Sequence, residues 1–285
     1  MGIPLSAPNI PEISDEDFLK FREFFYSKTG IMFQDNKRYF VDKRLNQQIV
    51  NGGYSGFRQY FDAVRFGAGG AELQALVNCM TVNETYFYRE DYQLKCLVQS
   101  ILPEIVKGLD PGETIKIWSM PCSTGEEPYS IALYLLEYWR MVDDFDIEIV
   151  ASDIDTEVLK KAKLGIYAER ALHYVSQETV NKYMVDVGQG SYQMIDELRK
   201  SIKFTQTNIM DAATNNFYRG FQVVFCRNLL IYFDDLSRRE AAEAIFTAMV
   251  PGGFVCLGHS ESMSRISSLF ELRKFPETIV YQKPA

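Results

Sequence analysis

Trp118-Ser119-Met120-Pro121-Cys122-Ser123-Thr124-Gly125-Glu126-Glu127-Pro128-Tyr129 is the stretch on which the fold is decided. The run Thr114–Met120 ends inside it and reads as a strand, and the residues from about 125 to 142 read as a helix. The stretch is therefore a strand-to-helix turn. The same alternation continues downstream. Ile147–Ile154, Ile202–Ile209, Phe221–Asn228 and Gly253–Gly258 are short runs rich in Val, Ile and Phe, with helical stretches at 156–164 and 235–249. Strand-then-helix alternation at this spacing predicts a parallel α/β sheet. Residues 175–200 interrupt it with a polar segment around Gly188-Gln189-Gly190, read as a small excursion from the sheet.

In a doubly wound sheet a ligand sits beyond the carboxyl ends of the strands, where this turn lies. A pyrophosphate needs several glycines and bare helix N–H groups. This turn offers one glycine and two glutamates, which suit an ammonium or sulfonium ligand and repel phosphate. The alternative is that Glu126, Glu127 and Pro128 serve only the capping and dipole of the helix. The second strand ends in Ala151-Ser152-Asp153-Ile154-Asp155-Thr156. An acidic side chain there can accept hydrogen bonds from ribose hydroxyls. Asp153 is assigned to that role and Asp155 to the N-cap of the next helix.

Upstream the pattern is different. Residues 1–13 hold three prolines and read as a loose leader. Ser14 or Asp15 can cap a helix that ends at Gly30, with Phe18, Phe21, Phe24 and Phe25 at helical spacing. Helices at roughly 36–50, from Ser55, and at 70–80 complete a small helical domain, residues 14–80. Residues 81–110 read as an interdomain linker and helix, and 111–285 as the α/β domain. In the second helix Lys37 and Arg44 share a face, and Arg38 and Lys43 widen it. Such a run is either a solvated face or a docking surface.

The composition, 47% hydrophobic and 24% charged over 285 residues, builds a normal core without disulfides or a metal. No pair among Cys79, Cys96, Cys122, Cys226 and Cys256 has CxxC spacing, so reduced, buried thiols are expected. Neither a signal peptide nor an apolar run of about 20 residues is present, which points to the cytoplasm and against membrane insertion. Residues 1–89 hold ten basic and ten acidic side chains, so the net charge of −8 belongs wholly to the rest. An acidic larger part is a poor partner for nucleic acid. His173 and His259 are the two histidines, and neither belongs to a nucleophile-and-base arrangement.

Five motifs now stand in order. They are Thr81-Val82-Asn83-Glu84-Thr85-Tyr86-Phe87-Tyr88-Arg89-Glu90, the Cys122–Ser130 turn, Ala151–Thr156, Phe225-Cys226-Arg227-Asn228-Leu229-Leu230-Ile231-Tyr232-Phe233-Asp234, and Pro251-Gly252-Gly253 leading to Gly258-His259-Ser260-Glu261. Together they resemble the chemotaxis receptor glutamate O-methyltransferases (CheR), from about residue 14 to the C-terminus. The resemblance implies a helical domain followed by a Rossmann-like S-adenosylmethionine-binding α/β domain with a small inserted β-subdomain at about 175–203. It implies methyl transfer to glutamates on the cytoplasmic methylation helices of receptors, with S-adenosylhomocysteine as product. It places Asn83, Thr85 and Arg89 along the cofactor site, Glu126 near the methionine end and Asp153 on the ribose. Asn208 and Ile209 would lie along the adenine, and Cys226, Arg227 and Asn228 would close the pocket. Arg89 and Tyr232 would orient the acceptor carboxylate; for Arg89 the competing reading is an interdomain salt bridge to a glutamate. The helical domain would meet the receptor through Lys37, Arg38, Lys43 and Arg44. Met120-Pro121 departs from the small residues usual in the family. Some members bind a receptor's C-terminal peptide on a glycine-rich hairpin, whereas Met184–Lys203 here is short and has only Gly188 and Gly190, so no such tether is expected. A different substrate for the same cofactor, or cofactor binding without catalysis, remain the alternatives.

Overall fold

A computed structural model of the chain describes residues 12–285, so most of the expected leader lies outside the described residues. The chain divides into two units, the first ending at Val82 and the second running Asn83–Ala285.

In the first unit the Ser14 hydroxyl accepts from the Asp17 N–H at 3.1 Å and starts α1 (Asp15–Thr29). Gly30, at φ 72°, ends it in the left-handed conformation that glycine adopts without strain. Then follow α2 (Arg38–Asn51), α3 (Phe57–Phe66) and α4 (Ala71–Met80). Phe18, Phe21 and Phe25 are buried on one face of α1, and the Phe33 ring lies 5.5 Å from that of Phe25. Val41, Leu45 and Ile49 are the buried face of α2. Each such side chain contributes about 1.5–3 kcal/mol on removal from water.

The basic run of α2 divides in two. Arg44 Nη1 donates to the carbonyls of Cys79 and Thr81, and its guanidinium lies 4.0 Å from the Phe40 ring. Arg38 bonds Asp42, Asp15 and the Ile13 carbonyl. Lys37 and Lys43 are exposed and form no ion pair among the described residues. The arginines thus stitch the unit together, and the lysines present its free charge.

The second unit begins with α5 (Asp91–Cys96), a π-helical turn at Leu97–Ile101, and α6 (Leu102–Ile105). Phe87, Leu94, Leu97, Val98, Ile101 and Leu102 belong to its core. From Asn83 onward, the stretch expected to be a linker is therefore part of this unit, because its apolar side chains are buried there. The chain continues through β1 (Thr114–Ser119), α7 (Glu126–Tyr138), β2 (Asp146–Asp153), α8 (Thr156–Leu164), β3 (Ile166–Ala168), α9 (Gln177–Tyr183), β4 (Met184–Gly188) and β5 (Ser191–Met194). It ends with α10 (Asp196–Ser201), β6 (Ile202–Gln206), α11 (Ala212–Asn215), β7 (Phe221–Cys226), α12 (Asp235–Ala248), β8 (Met249–Leu257), β9 (Glu271–Lys274) and β10 (Ile279–Gln282).

The main sheet has the order β6-β2-β1-β7-β8-β10-β9. β6 through β8 are parallel, and β8, β10 and β9 pair antiparallel. The fold is thus α/β, as expected, but its sheet is mixed. β9 and β10 are only four residues long, and β9 is almost wholly polar, so they announce themselves weakly in the sequence. The chain winds outward from β1 through β2 to β6, then returns to β7 on the other side. That reversal puts the topological switch point between β1 and β7. A second, antiparallel sheet has the order β3-β5-β4. Its first strand lies ahead of the 175–203 range the sequence suggested, because a three-residue strand carries almost no periodicity. No helix among the described residues is long and apolar enough to cross a membrane.

Candidate active site

The turn after β1 is built tightly. Gly125 has φ 97°, and a Cβ there would come within 2.9 Å of the Tyr167 hydroxyl and 3.0 Å of Ala162 Cβ. Tyr167 in turn donates to the Thr124 carbonyl at 2.8 Å. Glycine is required both for the dihedral and for the approach of α8. The turn leads into α7 with Glu126 and Glu127 in its first turn, where the helix dipole favours acidic groups.

Asp153 and Asp155 separate as the sequence suggested in one respect. Asp155 Oδ1 accepts from the N–H groups of Glu157 and Val158 and caps α8. Its Oδ2 takes Asn83 Nδ2 at 3.0 Å, which fixes Asn83 at this corner. Asp153 ends β2, 3% exposed, with Ser123 N–H on Oδ2 at 2.8 Å and Asp155 N–H on Oδ1 at 2.9 Å. Burial pushes its pKa up to about 6, against the lowering effect of the N–H groups of Asp155, Ser123 and Ile154. With three donors on about four acceptor positions, the carboxylate keeps room for a further donor. Glu126 is also buried, which raises its pKa, while a 2.6 Å bond from the Thr124 hydroxyl opposes the rise. Two carboxylates confined this way gain from a ligand that brings positive charge and hydroxyl donors. Thr207 N–H bonds the Asp153 carbonyl, so Asn208 and the buried Ile209 follow β6 beside it.

On the other side of the switch point stands Arg227, with a side chain 4% exposed. Its guanidinium meets Glu127 at 2.9 Å, Glu90 at 3.2 Å and the Arg89 carbonyl at 2.7 Å. Burial works against its charge, but the two carboxylates outweigh it and raise the pKa. Glu127 also accepts from Ser119 at 2.7 Å. Arg227 is thus committed to holding protein, and Cys226 is buried at 0% exposure, backbone included.

Arg89 is held through its carbonyl by Arg227, and its Nη1 donates to the Glu84 carbonyl at 2.7 Å. No carboxylate forms an ion pair with it among the described residues. The oxygen that Arg89 meets belongs to the backbone. Thr85 lies half-buried in the same segment. Tyr232 is within electrostatic reach: burial raises its pKa, the Glu84 carboxylate adds to the rise and Arg89 opposes it.

Glu261 is the residue that sequence reasoning missed. Its Oε2 accepts from the N–H groups of Asn228 and Gly258, each at 2.8 Å, and its Oε1 from Leu230 at 2.7 Å. Burial raises its pKa while these N–H groups oppose the rise. Asn228 adopts φ 59°, and a Cβ on Gly258 would lie 2.8 Å from Glu261 Oε2. One carboxylate thereby shapes the loop that carries Asn228 and Tyr232. The only sequence signal was its position in Gly258-His259-Ser260-Glu261. Glu261→Gln turns an amide N–H₂ toward backbone donors, at about 1.5–3 kcal/mol for a charged bond. Hydrogen exchange at the amides of Asn228, Leu230 and Gly258 should accelerate at least tenfold in that variant. Unchanged protection would mean the loop holds itself.

Known proteins resemble the chain over most of its length. The model described as CheR methyltransferase, all-alpha domain, matches residues 16–81, and that described as CheR methyltransferase, SAM binding domain, matches residues 83–279. Chemotaxis protein methyltransferase 2 of Vibrio cholerae is 54% identical over 272 residues, covering 95% of this chain and 94% of that protein. A probable chemotaxis protein methyltransferase of Rhizobium etli is 36% identical over 242 residues, 84% of this chain and 90% of its own. Chemotaxis protein methyltransferase Cher2 of Pseudomonas putida is 30% identical over 270 residues, with 93% and 97% covered. The chain belongs to the CheR methyltransferase family.

Proposed function

We propose that the protein transfers a methyl group from S-adenosylmethionine to glutamate side chains of chemotaxis receptors, forming glutamyl methyl esters. Family membership over nearly the whole chain carries the reading. The residues present fit the cofactor, since Asp153 and Glu126 are buried carboxylates beside the switch point and the turn lacks a phosphate cradle. S-adenosylmethionine supplies, when bound, a methyl group on positively charged sulfur. An acceptor glutamate is ionised at pH 7 and needs no general base. What remains for the protein is to position the groups and exclude water, and positioning alone can supply about 7–11 kcal/mol. The five free cysteines fit a reducing compartment, so we place the protein in the cytoplasm.

For the cofactor, Asp153 accepts the ribose hydroxyls, Glu126 faces the methionine end, and Asn83, Thr85, Asn208, Ile209 and Asn228 line the rest. Cys226 and Arg227 form the buried wall behind it. Calorimetry with S-adenosylhomocysteine should show Asp153→Ala losing most of the affinity. Asp155→Ala should keep it and lose about 1 kcal/mol of stability as a missing cap. Hydroxyl donors favour ionised Asp153, so affinity should fall as the pH drops below about 6. In the free protein the sign is reversed: the raised pKa gives stability at low pH that is lost as the pH rises through about 6. A silent Asp153→Ala would overturn the ribose assignment.

For transfer, Arg89 orients the acceptor carboxylate with its planar fork and Tyr232 holds the second oxygen. The support is that Arg89 is anchored at its carbonyl and at Nη1, with no carboxylate already paired to it among the described residues. With methyl-labelled cofactor and receptor-bearing membranes, Arg89→Lys and Arg89→Ala should both lose about 10²-fold in rate. Product affinity should change far less. If it collapses with turnover, Arg89 is a cofactor ligand and Tyr232 alone orients the substrate.

For docking, the α2 region meets the acidic methylation helices, with Lys37 and Lys43 as free charges and Arg38 and Arg44 behind them. Reversal at Arg44 would also break the contacts that hold α4, so Lys37→Glu with Lys43→Glu is the cleaner test. Receptor KM should rise severalfold, more at low salt than at high. Unchanged KM would remove the lysines from the interface. The hairpin joining β4 and β5 is short, which supports docking without a peptide tether. Excess C-terminal receptor peptide should leave the rate unaltered, and tight binding of that peptide would contradict this.

A further inference from the structure

Tyr86, His173 and Tyr174 form an aromatic cluster at the surface beside Arg89. The Tyr86 ring is 5.4 Å from that of His173 and 5.5 Å from that of Tyr174, and His173 lies 3.9 Å from Tyr174. The Arg89 guanidinium stands 5.9 Å from the Tyr86 ring. Tyr174 is 61% exposed and His173 is exposed as well. The Phe87 N–H donates to the Ala171 carbonyl at 3.1 Å, and His173 Nδ1 bonds the Arg170 carbonyl at 2.8 Å. The cluster is therefore tied to the Arg89 segment by backbone. The hydroxyls of Tyr86 and Tyr174 bond no other group among the described residues, and neither residue belongs to the unit's core.

A single exposed aromatic residue needs no explanation, but three in mutual contact with an arginine at the edge have the make-up of a binding hot spot. Tyrosine offers a large, stiff contact surface at low entropic cost, and arginine anchors the same patch. We infer that this cluster is a docking platform for the methyl-accepting helix, gripping the apolar side chain that lies one turn from the glutamate being methylated. The inference rests on the proposed role of Arg89. With a glutamate carboxylate on the guanidinium, residues three or four positions away on a helix lie about 5.4 Å along its axis. The spacings from the Arg89 guanidinium to the Tyr86 ring and from there to the Tyr174 ring, 5.9 Å and 5.5 Å, are comparable. The contact would therefore select among glutamates by their neighbours as well as by their charge.

The test is steady-state receptor methylation by the full chain carrying Tyr174→Ala, Tyr174→Phe or Tyr86→Ala, with product binding measured in parallel. Tyr174 is largely exposed, so its truncation leaves the fold intact. Tyr174→Ala and Tyr86→Ala should each raise receptor KM about tenfold, the scale of a moderate hot spot. For Tyr174→Ala, kcat should change less than about threefold and S-adenosylhomocysteine affinity should stay constant. Tyr174→Phe keeps the ring and should restore KM. Unchanged KM in both alanine variants overturns the platform while leaving the proposed function intact. Product affinity falling in step with KM assigns the cluster to the cofactor and overturns it too. Absence of methyl transfer by the unaltered protein would overturn the proposed function, and the platform with it.

Discussion

A buried guanidinium cannot be left unpaired, and the pairing of Arg227 is the constraint on which the candidate site depends. Its partners come from two stretches far from it in sequence: Glu127 in the first turn of α7, and Glu90 and the Arg89 carbonyl in the segment ahead of α5. Removing one member of such a cluster leaves charge stranded in a poorly solvated place, at about 3–5 kcal/mol. The cluster therefore holds the end of β7, the turn after β1 and the Arg89 segment in one arrangement. Glu90 extends it further by accepting from the His259 N–H, two residues before Glu261. Glu261 then fixes the Asn228–Tyr232 loop.

This scaffold suits a reaction that asks for placement and little acid–base chemistry. The titratable groups nearest the switch point are carboxylates whose charge is disfavoured by burial, Asp153, Glu126 and Glu127. Glu127 is answered within the protein by Arg227. Asp153 and Glu126 receive only N–H and hydroxyl donors, which leaves their charge for a ligand to answer. The division between carboxylates spent on structure and carboxylates kept for a ligand is set by where Arg227 reaches.

Local chemistry was legible in the sequence, and long-range chemistry was not. Ser14 and Asp155 announced themselves as caps because a cap acts within three residues. The strands β1, β2 and β7 were evident because their apolar runs are bounded by turn residues. β3, β9 and β10, three or four residues each, are too short for that signal. The roles of Arg44, Arg227 and Glu261 depend on partners 31 to 138 residues away, which spacing cannot reveal. Arg44 read as a docking charge, yet it bonds two carbonyls. Glu261 stood in a quoted motif and was assigned nothing. The resemblance supplied what periodicity could not, namely a candidate role for Arg89 toward the methyl acceptor.

The central claim is that glutamate carboxylates of a chemotaxis receptor are methylated by this chain with no base and with Arg89 as the orienting cation. Mass spectrometry of receptor peptides after co-expression tests it most directly, comparing the unaltered protein with Arg89→Ala. The expected result is base-labile methyl groups on glutamate side chains, present with the former and largely lost with the latter. Methyl groups on any other residue type, or equal glutamate methylation by both proteins, would contradict the account.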